Sequence, residues 1–409
     1  MKLKKLSALF MFSLSTQAVA NNIVEATALS TPAGSGQQVN HVLLKYREMT
    51  ATPSVEKFDV TGRKVINALS VRDCPKDRPS TTIPYCHATD SDMVLLTLEP
   101  AASGFVTVRE NRKPAVEREV VLEIKPKGEN TVKTTSVRQL VAEDFTQHIF
   151  TDETTGIKIP YNLYVPKNYT PTKSYPLVMF IHDAGSTNSN VKNTLYQGNG
   201  ATAWASPEWQ AKEEAFVLAP QFDHTIVNDK SEDPADLEPT INLIKLLTKT
   251  YNIDNKRIYT TGQSGGGMMS IAMNIKHPDF FAASYLVASQ WEPTYTAPMA
   301  KNNLFVLVSE NDPKAFPTQQ KIMQVLAKNG AVIKKSFGWN GEASVDELDQ
   351  KTKELVSQGG NVHFATFAGG TLQMEKEYPE LNGTSHLGTW WVAYNIDAVR
   401  DWLFAQKKD

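Results

Sequence analysis

The sequence predicts two folded parts in one chain: a small all-β sandwich in front, then a mostly parallel sheet flanked by helices. Three observations carry this. Up to about residue 142 the chain is a series of short, β-branched runs separated by turn residues, with no long helical period. From about residue 144, continuous apolar runs alternate with amphipathic stretches, the pattern of strands and covering helices. One of these alternations, a strand at 257–261 and a helix at 266–276, is joined by Gly262-Gln263-Ser264-Gly265-Gly266.

Residues 1–20 read as an export signal. Lys2, Lys4 and Lys5 form a positive start, 6–14 an apolar run too short to span a bilayer, and Ala18-Val19-Ala20 a cleavage site. The mature chain is expected to begin near Asn21 and to be exported, to a periplasm or beyond the cell. The net charge of −2 gives no electrostatic case for nucleic acid or an acidic membrane surface.

The β domain is expected over 21–142, with strands at 39–46, 55–60, 93–98, 105–110 and 117–124. The two cysteines, Cys74 and Cys86, lie in a Pro-rich polar stretch. An oxidising compartment favours a disulfide between them over free thiols. A metal site from Cys74, Cys86 and His87 lacks a fourth ligand, so no metal and no other cofactor is expected. No cluster of acids, bases or nucleophiles marks this part. Docking, substrate presentation and subunit contact in a homo-oligomer all stay open for it.

The α/β domain is expected over 143–409. An antiparallel pair at 145–151 and 158–165 opens it. Strands follow at 177–181, 216–219, 257–261, 283–288, 304–309 and 362–367. Helices fall at 237–251, where Ile241, Ile244, Leu247 and Tyr251 share a face, and at 317–329, 345–358 and 394–406. In such sheets, sites lie beyond the carboxyl ends of the strands.

Gly262-Gln263-Ser264-Gly265-Gly266 fits the nucleophile elbow, G-x-S-x-G, in which a sharp strand-to-helix turn exposes a serine. A serine hydroxyl needs a base, and the base needs an orienting carboxylate. In an α/β-hydrolase they follow in the order serine, acid, histidine. The acid is expected at the tip of strand 304–309, where Asp312 precedes Pro313 and Glu310 is the reserve. Two histidines lie downstream. His363 falls inside a strand, whereas His386 falls in a loop before the last helix and is the expected base. Two backbone N–H groups are needed for an oxyanion. Gly265 supplies one, and Asp183 or Ala184 the other, in the loop after strand 177–181. His182 is expected to brace that loop. Gln263, Gln290 and Trp291 are candidates for substrate contact, with packing an equal alternative for Trp291.

These residues carry a family resemblance. Ile159-Pro-Tyr-Asn-Leu-Tyr-Val-Pro166, Tyr175-Pro-Leu-Val-Met-Phe-Ile-His182-Asp-Ala-Gly185, Ala219-Pro-Gln221, the Ser264 elbow and His386-Leu-Gly-Thr-Trp390-Trp-Val-Ala-Tyr394 resemble the secreted α/β-hydrolases labelled predicted peptidases. These are related to polyhydroxybutyrate-depolymerase-like and feruloyl-type esterases. The resemblance covers about residues 145–409. It implies serine hydrolysis through Ser264, Asp312 and His386, usually of small-molecule or polymeric esters, and in some members an immunoglobulin-like domain ahead of the hydrolase. The chain departs from that pattern at one point: it has His182-Asp183 where hydrolases often carry His-Gly. A peptidase with the same residues, or a binding protein that keeps the fold, are the other readings.

Overall fold

The computed structural model describes residues 22–74, 83–109, 113–379 and 383–408. The expected export signal therefore lies outside the described residues.

Among the described residues, the front part is all β with three short 3-10 turns. Strands β1 (Ile23–Ala33), β2 (Gly36–Ala51), β4 (Val65–Asp73), β5 (Tyr85–His87), β6 (Asp90–Leu98) and β11 (Ser136–Gln139) form one sheet in the order β11-β1-β2-β6-β4-β5. Strands β3 (Phe58–Val60), β9 (Glu123–Pro126) and β10 (Val132–Lys133) form a second, and β7 (Thr107–Val108) pairs with β8 (Val116–Glu117). Val42, Leu44, Val94 and Leu96 of the first sheet meet Phe58, Val60 and Ile124 of the second in one apolar core.

The alternation of β2 is legible, because Val42, Leu44 and Tyr46 point inward. That of β4 is not: its inward positions include Ala68 and Ser70, while Ile66 faces water. The strand expected over 117–124 is interrupted. Arg118 N–H instead bonds Val106 O, and Leu122 N–H bonds Thr134 Oγ1, so these amides are satisfied outside a ladder. Cys74 and Cys86 form a disulfide. Both thiols are thereby consumed and cannot hold a metal.

Behind lies a nine-stranded sheet, built from β12 (Thr146–Thr151), β13 (Lys158–Tyr164), β14 (Tyr175–Ile181), β15 (Phe216–Pro220), β16 (Ile253–Gln263), β17 (Ala283–Val287), β18 (Leu304–Ser309), β19 (Ile333–Trp339) and β20 (Val362–Phe367). Its order is β12-β13-β15-β14-β16-β17-β18-β20-β19. Strand β13 is antiparallel to both neighbours, and every pairing from β15 to β19 is parallel. Helices α1 (Asn193–Tyr196), α2 (Pro207–Lys212), α3 (Leu237–Thr250), α4 (Gly265–Lys276), α5 (Ala315–Lys328), α6 (Val345–Val356), α7 (Gln373–Glu377), α8 (Thr384–Ala393) and α9 (Asp397–Ala405) complete it.

Every residue of β14 is buried because both faces of the sheet are covered. Leu177, Met179 and Ile181 join Ile241 and Ile244 of α3 and Met269 and Met273 of α4 on one face. Val178 and Phe180 join Trp390 of α8 and Trp402 of α9 on the other. This double burial explains why the central strands read as unbroken apolar runs.

Two elements differ from expectation. Strand β19 is at the sheet edge, pairs only with β20, and is largely solvated, so it carries little hydrophobic signal. The closing helix expected at 394–406 is α9, and a further helix that was not expected, α8, precedes it from Thr384. His386 therefore sits in a first helical turn rather than a loop. Gly383 precedes it at φ +83°, a left-handed conformation suited to glycine.

The front part packs on α1 and α8. Thr107 Oγ1 donates to Tyr196 O at 3.2 Å, and Asn193 Nδ2 to Ala115 O at 2.7 Å. A Cβ on Gly34, in the β1–β2 turn, would meet Trp391 O at 2.2 Å.

Strand β16 and helix α4 approach one another closely at the elbow. A Cβ on Gly262 would lie 2.4 Å from the Gly266 carbonyl carbon, and one on Gly266 only 1.9 Å from Ile181 O. Backbone cannot yield as a side chain can. Gly266→Ala is therefore expected to destabilise the protein by about 3 kcal/mol or more, read as a lowered urea midpoint. A midpoint within error of wild type would contradict this packing.

Candidate active site

Three strand ends of the parallel sheet converge. Strand β14 ends at the His182–Asp183 loop, β16 at Ser264 and β18 at the Asp312 turn. Ser264 has φ 50° and ψ −118°, far from the ordinary basins of a non-glycine residue. Its N–H bonds Val287 O at 3.0 Å and its carbonyl accepts Met268 N–H at 2.9 Å. The surrounding backbone thus fixes a conformation that the residue alone would avoid.

The structure brings Ser264, Asp312 and His386 together. His386 Nε2 lies 2.9 Å from Ser264 Oγ, and His386 Nδ1 lies 2.5 Å from Asp312 Oδ2. The other Asp312 oxygen accepts the N–H groups of Lys314 and Ala315, at 3.0 and 2.9 Å. Burial works to raise the Asp312 carboxyl. The hydrogen bond to His386, that ring's charge and the two amides outweigh it and hold the carboxyl below its ordinary value. Trp390 packs edge-on against the His386 ring, with centroids 5.2 Å apart.

The reserve residues point elsewhere. Glu310 accepts from Thr366 Oγ1, and His363 is buried beside Phe305 and Trp402.

Ala184 and Gly265 are neighbours: a Cβ on Gly265 would lie 3.2 Å from Ala184 N. Each opens its own helical turn, so its N–H has no acceptor within that turn. Asp183 caps the Ala184 turn through Gly185 N–H, at 2.9 Å from its Oδ1. His182 Nε2 accepts from Phe222 N–H at 3.0 Å, which leaves Nδ1–H to donate to Asp183 O at 2.8 Å. Full burial keeps this ring below the ordinary histidine value and neutral, so it braces the loop.

The Asp183 carboxylate is turned to the β-rich front part. Arg109 grips it with two nitrogens, at 2.6 and 3.0 Å. Their side chains are 11% and 4% exposed. Gln263 Nε2 donates to the same carboxylate, and the Ser186 hydroxyl lies 3.0 Å from it. Gln197 Oε1 accepts from Gln263 and from Ser186. Gln221 ties the end of β15 to the loop through Ser186 O. Burial would raise the Asp183 carboxyl, but the Arg109 charge and these donors pull it down to about 2.

Gln263 is therefore buried in this network, and Trp291 is buried in the apolar core, whereas Gln290 is part-exposed and bonds Asp229. Arg109, Gln197 and Gln221 were not singled out as site residues from the sequence. The one hint was Asp183 itself, an acid that needs a cation, but 42 lysines and arginines offer no way to choose. A cavity of about 710 Å³ lies between the two parts, lined by Phe105, Arg109, Tyr378, Leu387, Trp390 and Trp391 among others.

Residues 222–329 match the model of the prolyl oligopeptidase family. Over 47 residues the chain is 40% identical to "Probable acetylxylan esterase A" of Aspergillus flavus, a stretch covering 12% of this chain and 15% of that protein. A solved structure, "Crystal Structure of a Thermostable Esterase", matches with a TM-score of 0.73 at 23% identity, over 94% of this chain and 100% of that one. That likeness shows a shared fold, an α/β-hydrolase sheet with a β-rich part ahead of it.

Because the Asp183 carboxyl is depressed in the folded state, the stability it contributes is present above pH 4 and lost as pH falls towards 2. A drop from 3.8 to about 2 corresponds to about 2 kcal/mol. Between pH 4 and 2 the urea midpoint should fall less steeply for Asp183→Asn than for wild type. Parallel curves would contradict the assignment.

Proposed function

We propose that the protein is an exported serine hydrolase that cleaves carboxylic esters through an acyl-enzyme on Ser264. The observation that carries this is the unbroken chain Ser264–His386–Asp312, set at a strained strand-to-helix turn.

Each step follows from these contacts. His386 Nε2 takes the Ser264 proton as Oγ attacks the ester carbonyl. Asp312 holds Nδ1 as the donor and steadies the imidazolium that forms. The carbonyl oxygen becomes an anion facing the Ala184 and Gly265 N–H groups, aided by the positive end of α4. His386 then returns its proton to the leaving alcohol, and the acyl group stays on Ser264. Water, deprotonated by His386, releases the acid by the same path. The cavity between the two parts is walled by Phe105, Trp391 and Trp390, the last of which packs on the His386 ring, and suits an apolar acyl or aromatic group.

Export is supported by the Cys74–Cys86 disulfide together with the leader pattern over residues 1–20. The prolyl oligopeptidase match favours a second reading, cleavage of a peptide bond by the same three residues. The fungal relative's name makes acetylated polysaccharide a polymer to test.

The test is turnover of p-nitrophenyl acetate, butyrate and octanoate beside a peptide p-nitroanilide. Ser264→Ala and His386→Ala should each lower ester kcat by about 10^4-fold or more, with fold and melting temperature kept. Dominant anilide turnover would favour the peptidase. Ester turnover that survives Ser264→Ala would overturn the mechanism.

A further inference from the structure

We propose that Arg109, from the β-rich front part, is a positioning residue for this reaction, acting through Asp183 on the loop that supplies the Ala184 N–H. The inference rests on the proposed Ser264 mechanism and deepens it.

The argument starts from charge. Position 183 is one residue before Ala184, whose amide neighbours Gly265. A carboxylate free to swing there would oppose the negative charge that develops on the carbonyl oxygen. Four donated hydrogen bonds prevent this: two from Arg109 and one each from Gly185 N–H and Gln263. Arg109 supplies the only full positive charge among them. Its two-point grip fixes the carboxylate's plane as well as its charge. That plane in turn sets the capping bond to Gly185 N–H, and so the path of the Ala184 turn.

Arg109 also adds a charged contact to the hydrogen bonds that join the two parts of the chain. It follows β7, whose Thr107 bonds Tyr196 O, so the strand that docks the front part also delivers the guanidinium. Among the described residues, no lysine or arginine of the sheet-and-helix part pairs with the buried Asp183. The front part thus supplies its cation.

A merely structural ion pair and a positioning pair differ in what rescues them. If Arg109 serves only to offset and orient the Asp183 carboxylate, removing that carboxylate removes the need for it. The experiment measures kcat and KM for p-nitrophenyl acetate in wild type, Arg109→Ala, Arg109→Lys, Asp183→Gly and the double variant Arg109→Ala/Asp183→Gly. Circular dichroism and melting temperature are recorded for each. Arg109→Ala should lower kcat about 100-fold with KM changed less than threefold. Arg109→Lys, a cation without the planar fork, should fall between. The double variant should recover to within about fivefold of Asp183→Gly.

A kcat for Arg109→Ala within threefold of wild type overturns the proposal. So does a double variant no better than Arg109→Ala, in fold or in turnover, while Asp183→Gly is active, since Arg109 would then serve domain docking alone. The Ser264→Ala control separates the two claims. Wild-type turnover that survives Ser264→Ala defeats the Ser264 mechanism and this proposal with it, whereas turnover lost in Ser264→Ala but kept in Arg109→Ala defeats only the role of Arg109.

Discussion

The close packing of three backbone segments at one point constrains everything else in the catalytic part. Strand β16, helix α4 and the end of β14 meet where Gly262 and Gly266 leave no room for a Cβ. That contact forces the turn between strand and helix, and the turn forces Ser264 into a positive φ. The strain is held by the sheet, through the bond from Ser264 N–H to Val287 O. A serine so held presents its hydroxyl at the strand tip, where the loops after β14 and β18 bring the Ala184 turn and a carboxylate. The site is thus a consequence of sheet packing and not of loop flexibility.

Charge is the second constraint, and it reaches across the chain. Two carboxylates, Asp312 and Asp183, are buried near Ser264, and each is satisfied differently. Asp312 faces His386 and two helix-start amides, an arrangement within the catalytic part. Asp183 relies on an arginine from the other part. A buried carboxylate without a partner is costly, so the two parts are coupled by electrostatics as well as by the apolar contact. The fold shared with a solved esterase structure extends over both parts.

Much of this was legible in the sequence, for physical reasons. Strands such as β14 and β18 are covered on both faces and read as apolar runs; Leu304–Ser309 and Val362–Phe367 fall where the pattern puts them. Ser264, Asp312 and His386 could be found because chain order and strand tips constrain them. Edge and half-solvated strands were less visible: β19 is mostly part-exposed, and β4 turns Ala68 and Ser70 inward. The helical setting of His386 depends on the left-handed Gly383, which the loop-like composition around it concealed. Arg109 was invisible because pairing between side chains 74 residues apart leaves no period or motif. Only the anomaly it answers, Asp183, shows in the sequence.

The account stands most directly on Ser264 being an activated nucleophile. The measurement is reaction with a fluorophosphonate at neutral pH, followed by peptide mass mapping of wild type and His386→Ala. A single adduct on Ser264, lost or slowed at least 100-fold in His386→Ala, is the predicted result. An adduct elsewhere with Ser264 unmodified, or equal labelling without His386, would contradict it.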